Sequence, residues 1–327
     1  MSRRNFAALV SAVALSFSVA SVSAADAASI KLGYSDWPGW VAWQVAIDKG
    51  WLKQAGVDIA FQWSDYSASM DAFSAGKLDG VMVTNGDALV TGAAGAKNVM
   101  VLITDYSNGN DMIVAKPGIK SLQDLKGKKV GIEVGFVEHL LLLNGLVKSG
   151  MSEKDMTLVN TKTNDTPQTL ASGKVDAVGA WQPNSGAAMK ALAGSTPIYT
   201  SAQAPGLIYD VITVSPASFA ADKASYIKLA KVWDKVVKYI NDPKTQDDAV
   251  KIMAKRVGLK PEQYKPLLKG THLIDLAEAK QAYKKASGFG SLYGSSKIAD
   301  NFNVKYGVYK KAQDVNAYID SSVTEAP

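Results

Sequence analysis

The chain has 327 residues, of which 20% are charged, and its formal net charge is +6. A chain of this length is too long for one simple core and is typical of two domains. Its lysines and arginines are spread along the sequence instead of forming blocks, which argues against a nucleic-acid-binding surface. The chain contains no cysteine, so it forms no disulfide and carries no lipid-bearing cysteine at a cleavage site.

Residues 1–24 have the composition of an export signal. A basic start at 2–6 is followed by an apolar run at 7–19, and small residues at 22–24 provide a cleavage point. The Ser-Arg-Arg-x-Phe pattern also resembles a twin-arginine signal, with an ordinary secretory signal as the alternative. No later segment reaches the ~18 apolar residues of a membrane span. The mature protein is therefore predicted to be soluble and periplasmic.

The first element of the mature chain is a predicted strand at 30–33, and a helix is predicted at 41–52. The turn between them is the kind of place where open α/β sheets bind ligands. It carries Asp36, Trp37 and Trp40. We expect the two indole rings to form the walls of a pocket and Asp36 to lie at its mouth. The alternative is that the tryptophans pack in the core, and turns of this type favour the pocket for Trp37.

The order of strands and helices that follows occurs twice. Gly76–Asp79 repeats as Gly173–Asp176, and Lys31–Gly33 repeats as Lys129–Gly131. Alternating strands and helices predict an α/β fold with two doubly wound lobes, each containing a parallel sheet. Further predicted strands lie at 57–63, 78–84, 99–103, 128–133, 156–161, 175–180 and 207–214. Further helices are predicted at 69–75, 166–171, 226–240, 247–257 and 274–285. One more helix is predicted to begin at 85, and another to end at 148.

The match between the two copies also predicts which residues face each other. It places Trp40 opposite Glu138 and Asn85 opposite Gln182. The carboxyl ends of both sets of strands are then expected to border one cleft.

The sequence offers little for catalysis. Its two histidines, His139 and His272, lie outside any nucleophile motif, and no glycine-rich phosphate loop follows a strand. Metal-ligand spacings of His or Cys do not occur. We therefore expect no catalytic residue, no metal and no cofactor.

Acidic and aromatic residues instead follow the predicted strands, and lysine and arginine are missing from the same turns. A cation gains about 2 kcal/mol from a desolvated contact with an aromatic face. Each buried unpaired charge costs several kcal/mol, so we expect only one or two acids to touch a ligand, with Glu138 and Asp36 first. The candidate residues are the acids Asp36, Asp65, Asp87, Asp105, Glu138 and Asp210, and the aromatics Trp37, Trp40, Trp63, Tyr106, Trp181 and Tyr209.

Some of these acids have a plainer interpretation. Asp65 and Asp87 stand where an aspartate commonly caps a helix. Glu138 lies in a first helical turn, where a carboxylate pairs favourably with the helix dipole.

Several motifs resemble one protein family across nearly the whole mature chain. They are Gly33-Tyr34, Gly50-Trp51-Leu52, the segment Ser121–Gly131, Gly173–Ala177 and Trp181-x-Pro183. This chain resembles the periplasmic solute-binding proteins of ABC importers, in the nitrate, sulfonate and taurine group. The resemblance implies a type II two-lobed fold that closes on a solute and passes it to a membrane permease.

We predict the boundaries of the lobes accordingly. Residues 28–106 together with 213–327 would form lobe 1, and residues 107–212 would form lobe 2. A hinge is expected near 104–108 and near 207–210. The protein is expected to be a monomer.

The sequence departs from the oxyanion binders of this group. The turn at 135–138 carries Glu138 in place of small hydroxyl residues. The segments 34–40 and 83–88 look like the branch associated with urea carboxylase systems, which is linked to guanidine or urea uptake. Guanidinium is flat and cationic, so it would stack on tryptophan and bind a carboxylate through two parallel hydrogen bonds.

The predicted function is therefore binding of a small cationic or urea-like nitrogen compound, guanidinium first. Trp37 and Trp40 would stack on it, Glu138 and Asp36 would accept its N–H groups, and the cage would be completed by Asn85, Trp181, Gln182 and Tyr209. One alternative is an oxyanion or sulfonate binder, with a lysine or arginine reaching the cleft from a distant segment. Another is an enzyme on the same fold that makes a thiamine-pyrimidine precursor, against which stand the export signal and the few histidines.

Overall fold

The computed structural model describes residues 29–326. The predicted export signal at 1–24 lies outside the described residues. Within 29–326, no helix has both the length and the apolar character needed to cross a membrane.

The first lobe begins with four strands that alternate with helices. Its strands are β1 (Ile30–Tyr34), β2 (Ile59–Trp63), β3 (Gly80–Thr84) and β4 (Val99–Ser107), and its helices are α1 (Pro38–Val41), α2 (Trp43–Asp48), α3 (Trp51–Gln54), α4 (Tyr66–Ser74) and α5 (Asn85–Ala93).

The second lobe repeats this arrangement. Its elements are β5 (Asp111–Ala115), β6 (Lys129–Ile132), α6 (Val137–Lys148), β7 (Thr157–Asn160), α7 (Thr166–Ala171), β8 (Ala177–Trp181), α8 (Asn184–Ala191) and β9 (Thr196–Thr200).

The chain then returns to the first lobe and is mostly helical to its end. The elements are β10 (Tyr209–Val214), α9 (Pro216–Ala221), α10 (Lys223–Asn241), α11 (Gln246–Arg256), α12 (Pro261–Tyr264), β11 (Thr271–Leu273), α13 (Leu276–Ala282), α14 (Leu292–Lys305) and α15 (Ser322–Glu325).

Two sheets form the cores of the two lobes, which confirms the predicted fold class. The six-stranded sheet has the order β11-β4-β10-β3-β1-β2, and the five-stranded sheet has the order β7-β6-β8-β5-β9. In each sheet the repeated unit pairs in parallel, β1 with β2 and β3, and β6 with β7 and β8. Strands outside the repeated units make both sheets mixed, because β10, β11, β5 and β9 pair antiparallel with their neighbours.

Other departures from the predicted elements have local causes. The helix expected at 41–52 is divided into α1, α2 and α3, and Gly50 adopts a φ of 66° that interrupts helical geometry. Strands β5 and β9 and helices α8 and α14 are not among the predicted elements.

The two lobes are joined by two crossing segments. The chain leaves the first sheet after Ser107 and enters the second at Asp111, and it returns between Thr200 and Tyr209. At these crossings the Ser107 and Ser201 hydroxyls lie 2.6 Å apart, and Ser201 Oγ accepts from the Gly109 N–H at 2.7 Å. The strand Tyr209–Val214 pairs in the first sheet. The predicted boundaries of the lobes stay a proposal.

Candidate functional site

A small cavity lies between the lobes, where the carboxyl ends of β1, β3 and β8 meet. Its volume is about 10 Å³, which is room for about one water molecule. Side chains of both lobes surround it, and the lining residues are Trp37, Trp40, Tyr66, Thr84, Asp111, Val137, Trp181, Ile208 and Asp210.

Aromatic rings form one part of the cavity wall. Trp40 is stacked on Tyr66, with ring centres 5.3 Å apart and planes inclined by 18°. Trp181, from the second lobe, meets Tyr66 edge to face at 5.2 Å, and Trp37 meets Trp40 at 6.5 Å. Trp37 and Trp40 are only 3% and 2% exposed. These rings are therefore buried, as core packing requires, and they also line the cavity; their role as the wall of a ligand site stays a prediction.

Trp37 is fixed in the wall by a buried carboxyl. Its Nε1–H donates to Asp105 Oδ1 at 2.8 Å, and the Thr104 hydroxyl donates to Asp105 Oδ2 at 2.9 Å. Gly39 lies against the same carboxyl, because a Cβ at this position would stand 2.1 Å from Asp105 Oδ2. The glycine in the predicted turn thus permits the approach of helix α1 to β4.

Replacement of Gly39 by alanine is expected to destabilise the protein. The added methyl group must displace the Asp105 carboxyl from Trp37 and Thr104, and overpacking of this kind typically costs about 1–3 kcal/mol. Gly290→Ala is the matched control, since a Cβ there meets nothing within 4 Å. Thermal unfolding followed by circular dichroism should show a lower midpoint for Gly39→Ala only. Equal midpoints for the two variants would contradict this account of the turn.

Four buried carboxyls lie in or beside the cavity. Asp111 and Asp210 line it, and Glu138 and Asp105 are the neighbouring carboxyls that act on their pKa values. Burial raises the pKa of Asp111 and that of Asp105 to about 6. Burial, followed by repulsion from the neighbouring carboxyl, raises the pKa values of Glu138 and Asp210 well above the ordinary range.

Several oxygens of these carboxyls have no donor. In the part of the chain that the structure describes, no hydrogen-bond donor reaches either oxygen of Glu138, nor Oδ2 of Asp111 or Asp210. Buried polar atoms are normally hydrogen-bonded, so such a set of acceptors beside a cavity is unusual. The arrangement can accept several N–H donors from a solute.

A fifth carboxyl, Asp87, connects the lobes. Its Oδ2 accepts from the Tyr66 hydroxyl at 2.6 Å and from the backbone N–H of Val137, in the second lobe, at 3.2 Å. Burial raises the pKa of Asp87 to about 7. The side chain of Asp87 does cap a helix, but that helix is α6 of the second lobe and not the helix to which Asp87 itself belongs.

The raised pKa values have a consequence for stability. In the folded chain Asp87, Asp105 and Asp111 have pKa values of about 7, 6 and 6, above the ordinary 3.8. The stability that these groups contribute is therefore fully present below the ordinary value and is lost as the pH rises through about 6 to 7. One pKa unit corresponds to about 1.4 kcal/mol.

Without added ligand, we expect the free energy of unfolding to fall by at least about 2 kcal/mol between about pH 5 and about pH 8. Thermal unfolding across this range measures the trend. Asp111→Asn should make the decline shallower, because it removes one of the carboxyls whose pKa is raised. A midpoint that rises steadily with pH in both proteins would contradict the prediction.

Asp36 also connects the lobes and does not line the cavity. Its Oδ1 accepts from Trp181 Nε1 at 3.0 Å, and its Oδ2 accepts from Asn184 Nδ2 at 2.7 Å. Asp65 makes a similar contact at the exposed rim, where it accepts from Asn164 Nδ2 at 2.7 Å. Both acids therefore hold the lobes together, and the expectation that Asp36 directly accepts ligand N–H groups has no support in this geometry.

Three more predicted site residues lie elsewhere. Asn85 uses its side chain inside the first lobe, where it donates to Ser295 and Ser296 at 3.0 and 3.1 Å and accepts from the Tyr209 N–H. The Tyr209 hydroxyl donates to the Phe289 carbonyl at 2.9 Å. Trp63 is 39% exposed on β2, the edge strand of its sheet. The structure thus does not bring these three side chains to the cavity.

The remaining predicted residues lie near the site without lining it. Gln182 follows Trp181 and adjoins Gly186, and its backbone N–H donates to the Asn110 carbonyl at 3.0 Å. The ring of Tyr106 is stacked on His272, with centres 4.6 Å apart. His139 accepts from the Gly135 N–H at 3.1 Å and contacts Glu153 at 3.0 Å, and burial lowers its pKa.

Basic side chains do not line the cavity. None of the nine lining residues, all within 29–326, is lysine or arginine. Arg256 instead stands 4.0 Å from the ring of Trp63. Within the same described range, no group of three or more histidines and acids is arranged to hold a metal ion.

Five lining residues were missed at the level of sequence, namely Tyr66, Thr84, Asp111, Val137 and Ile208. Asp111 is the first residue of β5, a strand that is not predicted, and its position at the first crossing point is the signal that could have revealed it. Tyr66 begins α4 directly after Asp65, and its role depends on stacking with Trp40 from another turn.

Comparison with known proteins finds relatives of similar sequence and solved structures of similar fold. A Brucella abortus protein provisionally named a binding protein is 31% identical over 185 residues, which cover 56% of this chain and 56% of that protein. The matched stretch therefore spans little more than half of the relative's length.

Solved structures of similar fold can be superimposed on a larger part of the chain. The alkanesulfonate-binding protein SsuA from Xanthomonas axonopodis pv. citri, bound to MOPS, has a TM-score of 0.75 and 18% identity, covering 91% of this chain and 100% of its own. The periplasmic nitrate-binding protein NrtA from Synechocystis PCC 6803 has a TM-score of 0.73 and 11% identity, covering 92% and 88%. At these identities the likeness shows the two-lobed fold.

A family model described as NMT1/THI5 like matches residues 37–245. This match includes Trp37 and Trp40, the first repeated unit without its strand β1, the whole second unit and the strand that returns to the first lobe. It covers more than half of the chain, and the fold of the solved structures agrees with it. The chain therefore belongs to the NMT1/THI5-like family.

Proposed function

We propose that this protein is the periplasmic solute-binding component of an ABC importer. It would bind a small cationic or urea-like nitrogen compound, guanidinium first, and deliver it to a membrane permease. The family, the two-lobed fold and the name of the Brucella relative support a binding protein. The choice of ligand depends on the cavity alone.

One observation carries this choice. Asp111, Glu138 and Asp210 have buried oxygens that no donor within residues 29–326 reaches, beside a cavity lined by Trp37 and Trp40. A flat cation with several N–H groups satisfies both features. Its face gains from the aromatic rings, and its edges donate charge-assisted hydrogen bonds to the carboxylates.

The space is small in this structure, about 10 Å³, which is room for about one water molecule. A guanidinium ion would enter when the two lobes move apart and would be enclosed when they close. Asp111 and Asp210 line the cavity from the two sides of the crossing region and would accept its N–H groups. Tyr66 and Trp40, which stack on each other, would cover one face of the site.

A sulfonate or nitrate ligand is the second candidate, because structural neighbours include an alkanesulfonate-binding and a nitrate-binding protein. Charge argues against it. Two like unit charges 4 Å apart repel by about 4 kcal/mol at an effective dielectric constant of about 20. An oxyanion beside an ionised Asp111 would meet this repulsion, and none of the lining residues is a lysine or arginine that would offset it.

Isothermal titration calorimetry with guanidinium, urea, taurine and nitrate tests the proposal. The ligands are used at micromolar to low millimolar concentrations, far below those at which guanidinium and urea unfold proteins. We expect guanidinium to bind most tightly and the two anions to give no heat of binding. Tight binding of taurine or nitrate, with none of guanidinium, would refute the proposal. Analysis of the same samples for consumed solute tests the enzyme alternative, which predicts turnover.

A further inference from the structure

We propose that Asp36 and Asn184 form a latch between the lobes, which sets the affinity for the solute without touching it. This inference rests on the proposed function and concerns how the same site is kept closed. Asp36 lies in the turn after β1, in the first lobe, and Asn184 is the first residue of α8, in the second. Asp36 Oδ2 accepts from Asn184 Nδ2 at 2.7 Å, and neither residue lines the cavity.

The second lobe uses both oxygens of the Asp36 carboxyl. Oδ1 accepts from Trp181 Nε1 at 3.0 Å, and Oδ2 accepts from Asn184. The two donors flank the junction of β8 and α8, since Trp181 ends the strand and Asn184 begins the helix. Hydrogen bonds to an ionised acceptor are roughly twice as strong as those between neutral groups. These two bonds therefore stabilise the closed arrangement of the lobes independently of any contact with a solute.

Trp181 connects the latch to the cavity. Its ring lines the cavity and meets Tyr66 of the first lobe edge to face at 5.2 Å, while its Nε1–H donates to Asp36. The position of this part of the wall thus depends on a carboxyl outside the cavity. Asp36 and Asn184 are positioning residues, because they act on the solute only through Trp181 and through closure of the lobes.

Other contacts between the lobes do not combine these properties. Asp65 accepts from Asn164 Nδ2 at 2.7 Å through one oxygen at the exposed rim, where water competes for the bond. Asp87 also reaches the second lobe, but the same oxygen accepts from a tyrosine that lines the cavity. The bond between Asp36 and Asn184 can be removed without changing a lining residue or its partner, so its effect on binding can be measured separately.

A latch has a recognisable effect on affinity. The apparent affinity falls in proportion to the population of the binding-competent form, so loss of the latch weakens every solute by the same factor. Loss of a group that touches the solute instead changes the preference between solutes. The latch acts after the solute has entered, and its loss should therefore speed dissociation and leave association unchanged.

Calorimetry of the full chain with guanidinium and with urea tests the latch in Asn184→Ala, which leaves every charge in place. A hydrogen bond to a carboxylate is lost, and we expect binding of both solutes to weaken by about tenfold. Asp36→Ala should weaken guanidinium binding at least as much. The double variant should lose no more than Asp36→Ala, because the bond is already absent. Asn301→Ala, at an exposed position of α14, is the matched control and should bind as the original protein does.

Stopped-flow measurement of tryptophan fluorescence supplies the kinetic test. Guanidinium should leave Asn184→Ala about tenfold faster than it leaves the original protein, at an unchanged association rate. Unchanged affinity in Asn184→Ala, or a loss for guanidinium that urea does not share, would overturn the latch and leave the proposed function intact. If neither guanidinium nor urea bound to the original protein, both the latch and the proposed function would be wrong.

Discussion

Replacing Asp111 by asparagine is expected to weaken guanidinium binding by at least about 30-fold. The substitution keeps the shape of the side chain and removes a carboxylate that lines the cavity with an unpartnered Oδ2. Loss of one partner of a buried charged hydrogen bond costs about 2–5 kcal/mol, and 2 kcal/mol corresponds to about 30-fold in affinity. Calorimetric titration with guanidinium measures the change.

Stability separates loss of the site from loss of the fold. Asp111→Asn should unfold at a temperature no lower than the original protein at neutral pH, because it relieves repulsion between Asp111 and Glu138. Asp71→Asn, on the exposed surface of α4, is the matched control and should bind guanidinium normally. If Asp111→Asn remained folded and bound guanidinium as tightly as Asp71→Asn, Asp111 would not belong to the site.

Replacing Trp40 by alanine should both destabilise the chain and weaken binding. Trp40 is 2% exposed and stacked on Tyr66 at 5.3 Å, and truncation of a buried tryptophan to alanine costs about 3–5 kcal/mol. The same change removes the ring that covers one face of the cavity, so affinity for guanidinium should fall by about 30-fold, the equivalent of a desolvated cation–π contact. Thermal unfolding and calorimetry measure the two effects.

Trp63→Ala is the matched control for this prediction. Its ring is 39% exposed on an edge strand and faces Arg256 at 4.0 Å. We expect guanidinium affinity close to that of the original protein and a loss of stability well below that of Trp40→Ala. Were the two variants equally impaired in binding, the assignment of the cavity wall to Trp40 and not Trp63 would be wrong.

Much of the architecture can be predicted because local sequence periodicity determines it. The matching segments Gly76–Asp79 and Gly173–Asp176 precede β3 and β8, which occupy equivalent places in the two sheets. The turn that carries Trp37 and Trp40 was predicted to border the cavity from its position between a strand and a helix, and the two rings lie there. Such rules act within a few residues of the chain.

The parts that the sequence does not predict depend on contacts between distant segments. Asn85 has the position of a ligand-binding residue, but Ser295 and Ser296 of α14 use its hydrogen-bonding groups. Asp111 joins the site because β5 pairs with β8, which brings Asp111 beside Trp181. The distance between Asp36 and Asn184 likewise follows from how the lobes meet.

The charge distribution of the whole molecule also differs from that of its cavity. The formal net charge of the chain is +6, whereas acids and no lysine or arginine line the cavity among the described residues. The basic character therefore belongs to the exposed surface, including the lysines of α10.

A crystal structure of the protein grown with guanidinium tests the central claim most directly. The account predicts a flat density between Trp40 and Trp181, with N–H groups within about 3 Å of carboxylate oxygens of Asp111 or Asp210. An oxyanion in that cavity, or a lysine or arginine side chain turned into it, would contradict the account.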